Sequence, residues 1–155
     1  KMINYMRPKA TDVEKVDPNA RKGAVLALLY PKDNEPHVAL MLRNTYHGAH
    51  SGQVSFPGGK YEQTDKDLVQ TALREAHEEM NIHPENVTVV GALSKVYIPP
   101  SRFLVSPFVG YARERPNFKP DPLEVAEIIE APLKMIFAAS SINAKPIFVQ
   151  ITHSE

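Results

Sequence analysis

Three carboxylates and a guanidinium crowd into the segment Arg74-Glu75-Ala76-His77-Glu78-Glu79. On a helix, Glu75 and Glu79 are four residues apart and lie about 40° from each other around the axis, so their oxygens can project to one point. Like charges at that spacing repel unless a cation is bound or Arg74 intervenes. Hard oxygen donors of this kind suit Mg²⁺ or Mn²⁺. Taken alone, such an acidic segment reads more readily as a solvated helix face. Its context argues otherwise, because Gly58-Gly59 lies fifteen residues before Arg74, counted from Gly59, and a capping segment joins the two.

With those residues in view, the chain resembles the Nudix hydrolase family. That family's signature box ends in Arg-Glu, an apolar residue, any residue, Glu-Glu, any residue, Gly and an apolar residue. Here the stretch reads Arg74-Glu75-Ala76-His77-Glu78-Glu79-Met80-Asn81-Ile82, with Asn81 in place of the helix-ending Gly and suited to the same left-handed cap. Upstream, Gly59 is one residue further from Arg74 than in the box, and Lys66 stands where the box has Glu, flanked by Asp65 and Asp67. The run Gly52 to Gly59 (GQVSFPGG), preceded by Leu40-Met41-Leu42-Arg43 and followed by Thr71-Ala72-Leu73-Arg74-Glu75-Ala76, resembles the coenzyme A diphosphatase branch. Asn44 stands where that branch has Ser or Ala, and Gly48 where it has a second Arg. The matched stretches span residues 24 to 130.

The resemblance implies a divalent-metal-dependent hydrolase that cleaves the pyrophosphate of a nucleoside diphosphate derivative. Coenzyme A or acyl-coenzyme A, giving 3',5'-ADP and (acyl-)phosphopantetheine, is the first substrate expectation, and ADP-ribose or another dinucleotide is the second. A non-catalytic ligand-sensing module is the third reading, and retention of all three glutamates weighs against it. Glu75, Glu78, Glu79 and a backbone carbonyl of Gly58 or Gly59, with Gly59 as the assigned ligand, form the expected metal set. Arg74 reads as a clamp on the carboxylates. Glu124 and Glu127 are the candidate bases, each also readable as an ordinary exposed residue. Substrate contacts fall to Arg43, Gly58, Gly59, Lys60 and Arg102, the last toward the far end of the substrate. His47 and His50 are weaker phosphate candidates, and Tyr46 or Tyr97 could stack on a base.

Positioning these groups requires a scaffold, and hydropathy patterning outlines one. Ala24 to Tyr30 is a continuous apolar run, as in a strand buried on both faces, and His37 to Arg43 is a second strand joined to it by the turn cluster at 31–36. Gln53 to Phe56 reads as a short strand entering the Gly pair, where paired glycines permit positive φ and close backbone approach. Leu68, Val69, Ala72, Leu73, Ala76 and Met80 form one helical stripe between Asp65 and Asn81, with Thr64 or Asp65 as the cap. Further strands are expected at Val87 to Val96, Phe103 to Tyr111, Val125 to Ile129 and Ile147 to Ile151, with a helix at Pro132 to Ala139. No closing helix is recognisable after Ile151. The expected fold is α+β, a Nudix-like α/β/α sandwich with a mixed β-sheet and one catalytic helix, occupying residues 1–155 as one domain with a poorly patterned segment at 1–22.

Composition narrows the partners. The 155 residues hold 18 Lys plus Arg against 18 Asp plus Glu, so no basic excess supports binding to nucleic acid or to an anionic membrane surface. Without Cys, disulfides, zinc-thiolate sites and thiol nucleophiles are excluded. No apolar run approaches the roughly 20 residues of a membrane span, and the first residues carry no secretory pattern, so a cytoplasmic location is expected. The expected partner is a nucleotide-type small molecule. A homodimer is compatible with the sequence.

Overall fold

A computed structural model describes residues 17–44 and 52–143, with side chains described through residue 138. Its elements are β1 (Arg21–Lys32), β2 (Glu35–Arg43), β3 (Val54–Ser55), β4 (Gly58–Lys60), α1 (Leu68–Met80), a 3₁₀ turn (Pro84–Asn86), β5 (Thr88–Ala92), β6 (Val96–Ile98), β7 (Phe103–Tyr111), β8 (Val125–Pro132) and α2 (Leu133–Asn143). The sheet runs β3-β2-β1-β7-β5, with β4 on β1, β6 on β7 and β8 on β2. Among the described residues only the β1–β7 pairing is parallel, which makes the sheet mixed as expected.

The β1–β2 hairpin is tighter than the six-residue turn at 31–36. Asp33 and Asn34 alone make the reversal, both at positive φ (53° and 58°), as a type I′ turn requires. Pro31 faces Pro36 one pair beyond Lys32 and Glu35, at a position where neighbouring strands exchange no amide bonds, so both prolines stay within strands. Beyond Leu29 and Val38 the two strands diverge. One edge of β1 is taken by β7 and one edge of β2 by β8, so β4 on β1 and β3 on β2 must fill the fork between them. The 54–60 segment is thus a wedge driven into the hairpin.

Two faces bury two clusters. Ala72, Ala76 and Met80 of α1 lie against Ala24, Leu26, Leu28, Ala39 and Met41, and the small alanines let the helix sit close to the sheet. On the reverse face Leu133 and Ile136 of α2 pack against Val25, Val38, Leu40, Phe56 and Val105. Helix, sheet and helix form the expected three layers. Asp67, rather than Thr64 or Asp65, caps α1 by accepting from the Gln70 amide at 2.8 Å, while Asn81 ends the helix at φ 61° as anticipated. The strand expected over 87–96 is broken: β5 stops at Ala92, and Val96–Ile98 becomes β6, because both must pair with different stretches of β7. α2 extends past Ala139, and the strand expected at 147–151 lies outside the described residues. Among the described residues no helix is long and apolar enough to cross a membrane.

Candidate functional site

Helix α1 turns its acidic edge toward the fork, and burial separates its three glutamates. Glu79 is only 4% exposed, and its Oε1 accepts the Gly58 amide at 2.9 Å. Burial first, and then the Glu75 charge, push its pKa up to about 8, against the opposing pull of Arg43 and the Gly58 N–H. The Glu75 carboxylate lies over Gly59, where an added Cβ would stand 2.7 Å from Glu75 Cδ. Its pKa is also raised, chiefly by burial, with Arg74 opposing. Glu78 is the outlier, with a side chain 57% exposed and an Arg74 contact of 3.4 Å.

Arg74 ties the cluster to the chain entering the helix. Its Nε donates to Asp65 Oδ1 at 2.8 Å and its Nη2 to Asp65 Oδ2 at 3.0 Å, in the two-pronged geometry only a guanidinium offers. Nη1 reaches Glu75 Oε1 at 2.9 Å, and Nη2 also donates to the Lys60 carbonyl at 3.1 Å. Asp65 also accepts from Thr71 Oγ1 and the Glu62 amide, and these partners, Arg74 foremost, hold its pKa down at about 2.

Gly58 and Gly59 serve close approach, not positive φ, since Gly52 is the one glycine at positive φ among the described residues. A Cβ on Gly58 would fall 2.3 Å from the Ala24 carbonyl oxygen and 2.6 Å from Val25 Cγ1. The Tyr61 amide donates to Lys22 and the Leu26 amide to Pro57, so the alternating ladder makes Ala24–Gly59 the exchanged pair between them. That turns the Gly59 carbonyl toward β1 and the Gly58 carbonyl away from it, on the side of Glu79. The two glycines should therefore respond differently. Gly58→Ala should destabilise the fold by about 1 to 3 kcal/mol through overpacking against backbone. Gly59→Ala displaces only the end of the flexible Glu75 side chain, so it should lower kcat with a smaller loss of stability. Denaturation midpoints and kcat measured on both variants check this, and identical profiles would refute it.

Arg43, the last residue of β2, is buried with its charge bearing on Glu79. Glu124 bears on Glu79 as well and stands just before β8. Its loop is docked on the end of α1, where the Asp121 amide donates to the Glu79 carbonyl at 2.9 Å and the Lys119 amide to the Met80 carbonyl at 3.1 Å. Glu127 is not brought to the carboxylates. It pairs with Leu42, next to Met41 of the α1-side cluster, and strand alternation turns it to the opposite face. Lys60 ends β4 with an exposed side chain. The Arg102 guanidinium is already engaged by Asp17, donating from Nε at 3.0 Å, and its carbonyl accepts the Arg21 amide. Tyr97 donates to the same Asp17. Tyr46, His47, Gly48 and His50 lie outside the described residues.

Among the described residues no three acidic or imidazole groups already form a metal-binding cluster. The donor set still fits a hard divalent cation, since Glu75 and Glu79 are crowded together in a largely buried position beside an outward-facing backbone carbonyl. A cleft of about 690 Å³ bordered by His83, Thr88, Tyr111 and Arg113 lies past the C-terminal end of α1, and neither Glu75 nor Glu79 lines it.

The model of the NUDIX domain matches residues 20–147. A Pectobacterium atrosepticum protein named uncharacterized Nudix hydrolase NudL is 44% identical over 118 residues, covering 72% of this chain and 59% of its own length. Nudix hydrolase 15, mitochondrial, of Arabidopsis thaliana is 37% identical over 131 residues, which are 83% of this chain and 45% of that protein. The chain therefore spans about half the length of these relatives. Among solved structures, the Nudix hydrolase RenU of M. smegmatis superposes with a TM-score of 0.65 at 21% identity, covering 84% of this chain and 80% of its own. The NUDIX domain of Shewanella oneidensis NrtR, solved with ADP ribose, gives 0.60 at 18% identity with 80% of each chain covered. At these identities the structures speak for the fold alone.

Proposed function

The chain belongs to the Nudix family, and from that membership we propose that it hydrolyses the pyrophosphate linkage of a nucleoside diphosphate derivative with the help of Mg²⁺ or Mn²⁺. The observation that carries the reading is the packing of Glu75 and Glu79 onto the Gly58-Gly59 strand, with Arg43 beside them. Glu75, Glu79 and the Gly58 carbonyl would hold the cation, with Glu78 at its exposed margin. When bound there, a divalent cation lowers the pKa of water and offsets charge on the phosphate oxygens.

The protein's own groups supply the rest. Arg74 keeps Glu75 from swinging away from Glu79. Arg43 adds positive charge to the buried side of the site, where a diphosphate carries its negative charge. Glu124 takes a proton from the attacking water as its oxygen bonds to one phosphorus. The bond from that phosphorus to the bridging oxygen breaks, and the bridging oxygen leaves on the second phosphate. Glu127 faces the other side of the sheet and is set aside as the base.

Coenzyme A or an acyl-coenzyme A is the substrate we favour, on the Gly52 to Gly59 run and the preceding Leu40 to Arg43. Arg43 is buried beside Glu79, so it suits the diphosphate rather than a distant 3'-phosphate. Arg43→Ala should therefore lower kcat/KM for coenzyme A and for dephospho-coenzyme A alike, by about tenfold to a hundredfold for one lost charge-assisted contact. A panel with Mg²⁺, including ADP-ribose and a dinucleoside polyphosphate, with products resolved, is the test. Faster turnover of ADP-ribose than of coenzyme A would move the substrate to the dinucleotide class. Binding without turnover of any compound would favour a ligand-sensing module.

A further inference from the structure

We propose that Asn44 is a positioning residue that fixes the Glu124 carboxylate in the site; the inference rests on the reading of Glu124 as the base. Asn44 follows Arg43 at the end of β2 and grips the 122–124 turn twice. Its backbone N–H donates to the Glu124 carbonyl at 3.0 Å, and its side-chain Nδ2 donates to the Pro122 carbonyl at 2.7 Å. The turn is wound on Asp121, whose carbonyl accepts the Glu124 and Val125 amides at 3.1 and 2.8 Å and whose Oδ1 accepts the Leu123 amide at 3.0 Å. The Asp121 amide in turn holds the Glu79 carbonyl. One side of the turn is thus fastened to α1 at Glu79 and the other to β2 next to Arg43.

Glu124 itself is exposed, and among the described residues no side-chain hydrogen bond or ion pair directs its carboxylate. Its placement depends on its backbone, and Asn44 supplies the side-chain half of the fastening on β2. A Ser or Ala at this position is too short to reach the Pro122 carbonyl in the same way. The Asn is a departure of this chain, and the geometry gives it work: it sets the distance of Glu124 from the buried carboxylates.

Asn44→Ala removes the side chain, and Asn44→Asp keeps its shape while removing the donor. Both should lower kcat by about tenfold, the scale expected of a misplaced catalytic group, with KM within about twofold. Thermal midpoints should move by no more than a few degrees, since one exposed hydrogen bond is lost. Amide exchange at Asn44 and Val125 should accelerate. In a Glu124→Gln background, Asn44→Ala should have no further effect on kcat, because there is no base left to misplace. If Glu124→Gln lowers kcat while the Asn44 variants do not, or if the two losses multiply, the positioning role is overturned and Glu124 stands. If Glu124→Gln leaves kcat intact, the base reading falls and the inference with it.

Discussion

Glu79→Gln is expected to abolish turnover almost completely, by about a hundredfold to a thousandfold in kcat, while leaving the fold intact or more stable. The amide oxygen of Gln can still accept the Gly58 N–H, so the close packing of α1 on β4 survives. What disappears is a buried carboxyl whose ionisation is disfavoured, its pKa pushed up to about 8 by burial and by Glu75. A carboxyl with a raised folded pKa favours the protonated fold. Its contribution is fullest below the unfolded value of 4.5 and is lost as pH rises through about 8. The metal-free protein should therefore lose stability across that window, and the loss should flatten in Glu79→Gln. Thermal midpoints at pH 5 and pH 8 for both proteins decide this. Parallel slopes would show that Glu79 does not carry the buried charge.

Arg74→Ala should be the most damaging change to stability, about 3 to 5 kcal/mol, because it strands Asp65 as a buried charge whose side chain is only 1% exposed. Arg74→Lys should recover part of that, keeping the charge but losing the two-pronged contact to Asp65 and the bond to the Lys60 carbonyl. Both variants should also lose activity, since Glu75 is released from its 2.9 Å contact. The depressed Asp65 pKa sets the acid limit. Its contribution is present above the unfolded value of 3.8 and is lost as pH falls toward about 2, a loss that Asp65→Asn should abolish. Urea unfolding of the series measures these terms, and a cost below about 1 kcal/mol for Arg74→Ala would mean that the pair behaves as an exposed one.

Much of this arrangement was legible in the sequence because it is local. The Ala72, Ala76 and Met80 stripe, the Asn81 cap and the four-residue step from Glu75 to Glu79 all follow from one helical period. The same period held an unread signal: Glu79 lies three residues after Ala76 and so borders the buried stripe, while Glu78 turns outward. The fork was not legible, because the divergence of β1 and β2 is set by pairings with β7 and β8 far along the chain. Close approach at the glycine pair was legible and positive φ was not needed, but that the approach is to Ala24, Val25 and Glu75 depends on the same distant pairings. Glu124 and Glu127 could not be separated without the register of β8 on β2. Asp65 reads in the sequence as a neighbour of Lys66 and a candidate helix cap, whereas its partnership with Arg74 depends on the loop fold before α1.

The most direct measurement is Mn²⁺ binding by calorimetry across pH, without substrate, for the unmodified protein and for Glu79→Gln. If Glu75 and Glu79 hold the cation, affinity should rise with pH up to about 8, as protons that compete for Glu79 are lost, and binding to Glu79→Gln should be weaker and flat over that range. Equal affinity in the two proteins, with the same pH dependence, would contradict the assignment of the metal to this pair of carboxylates.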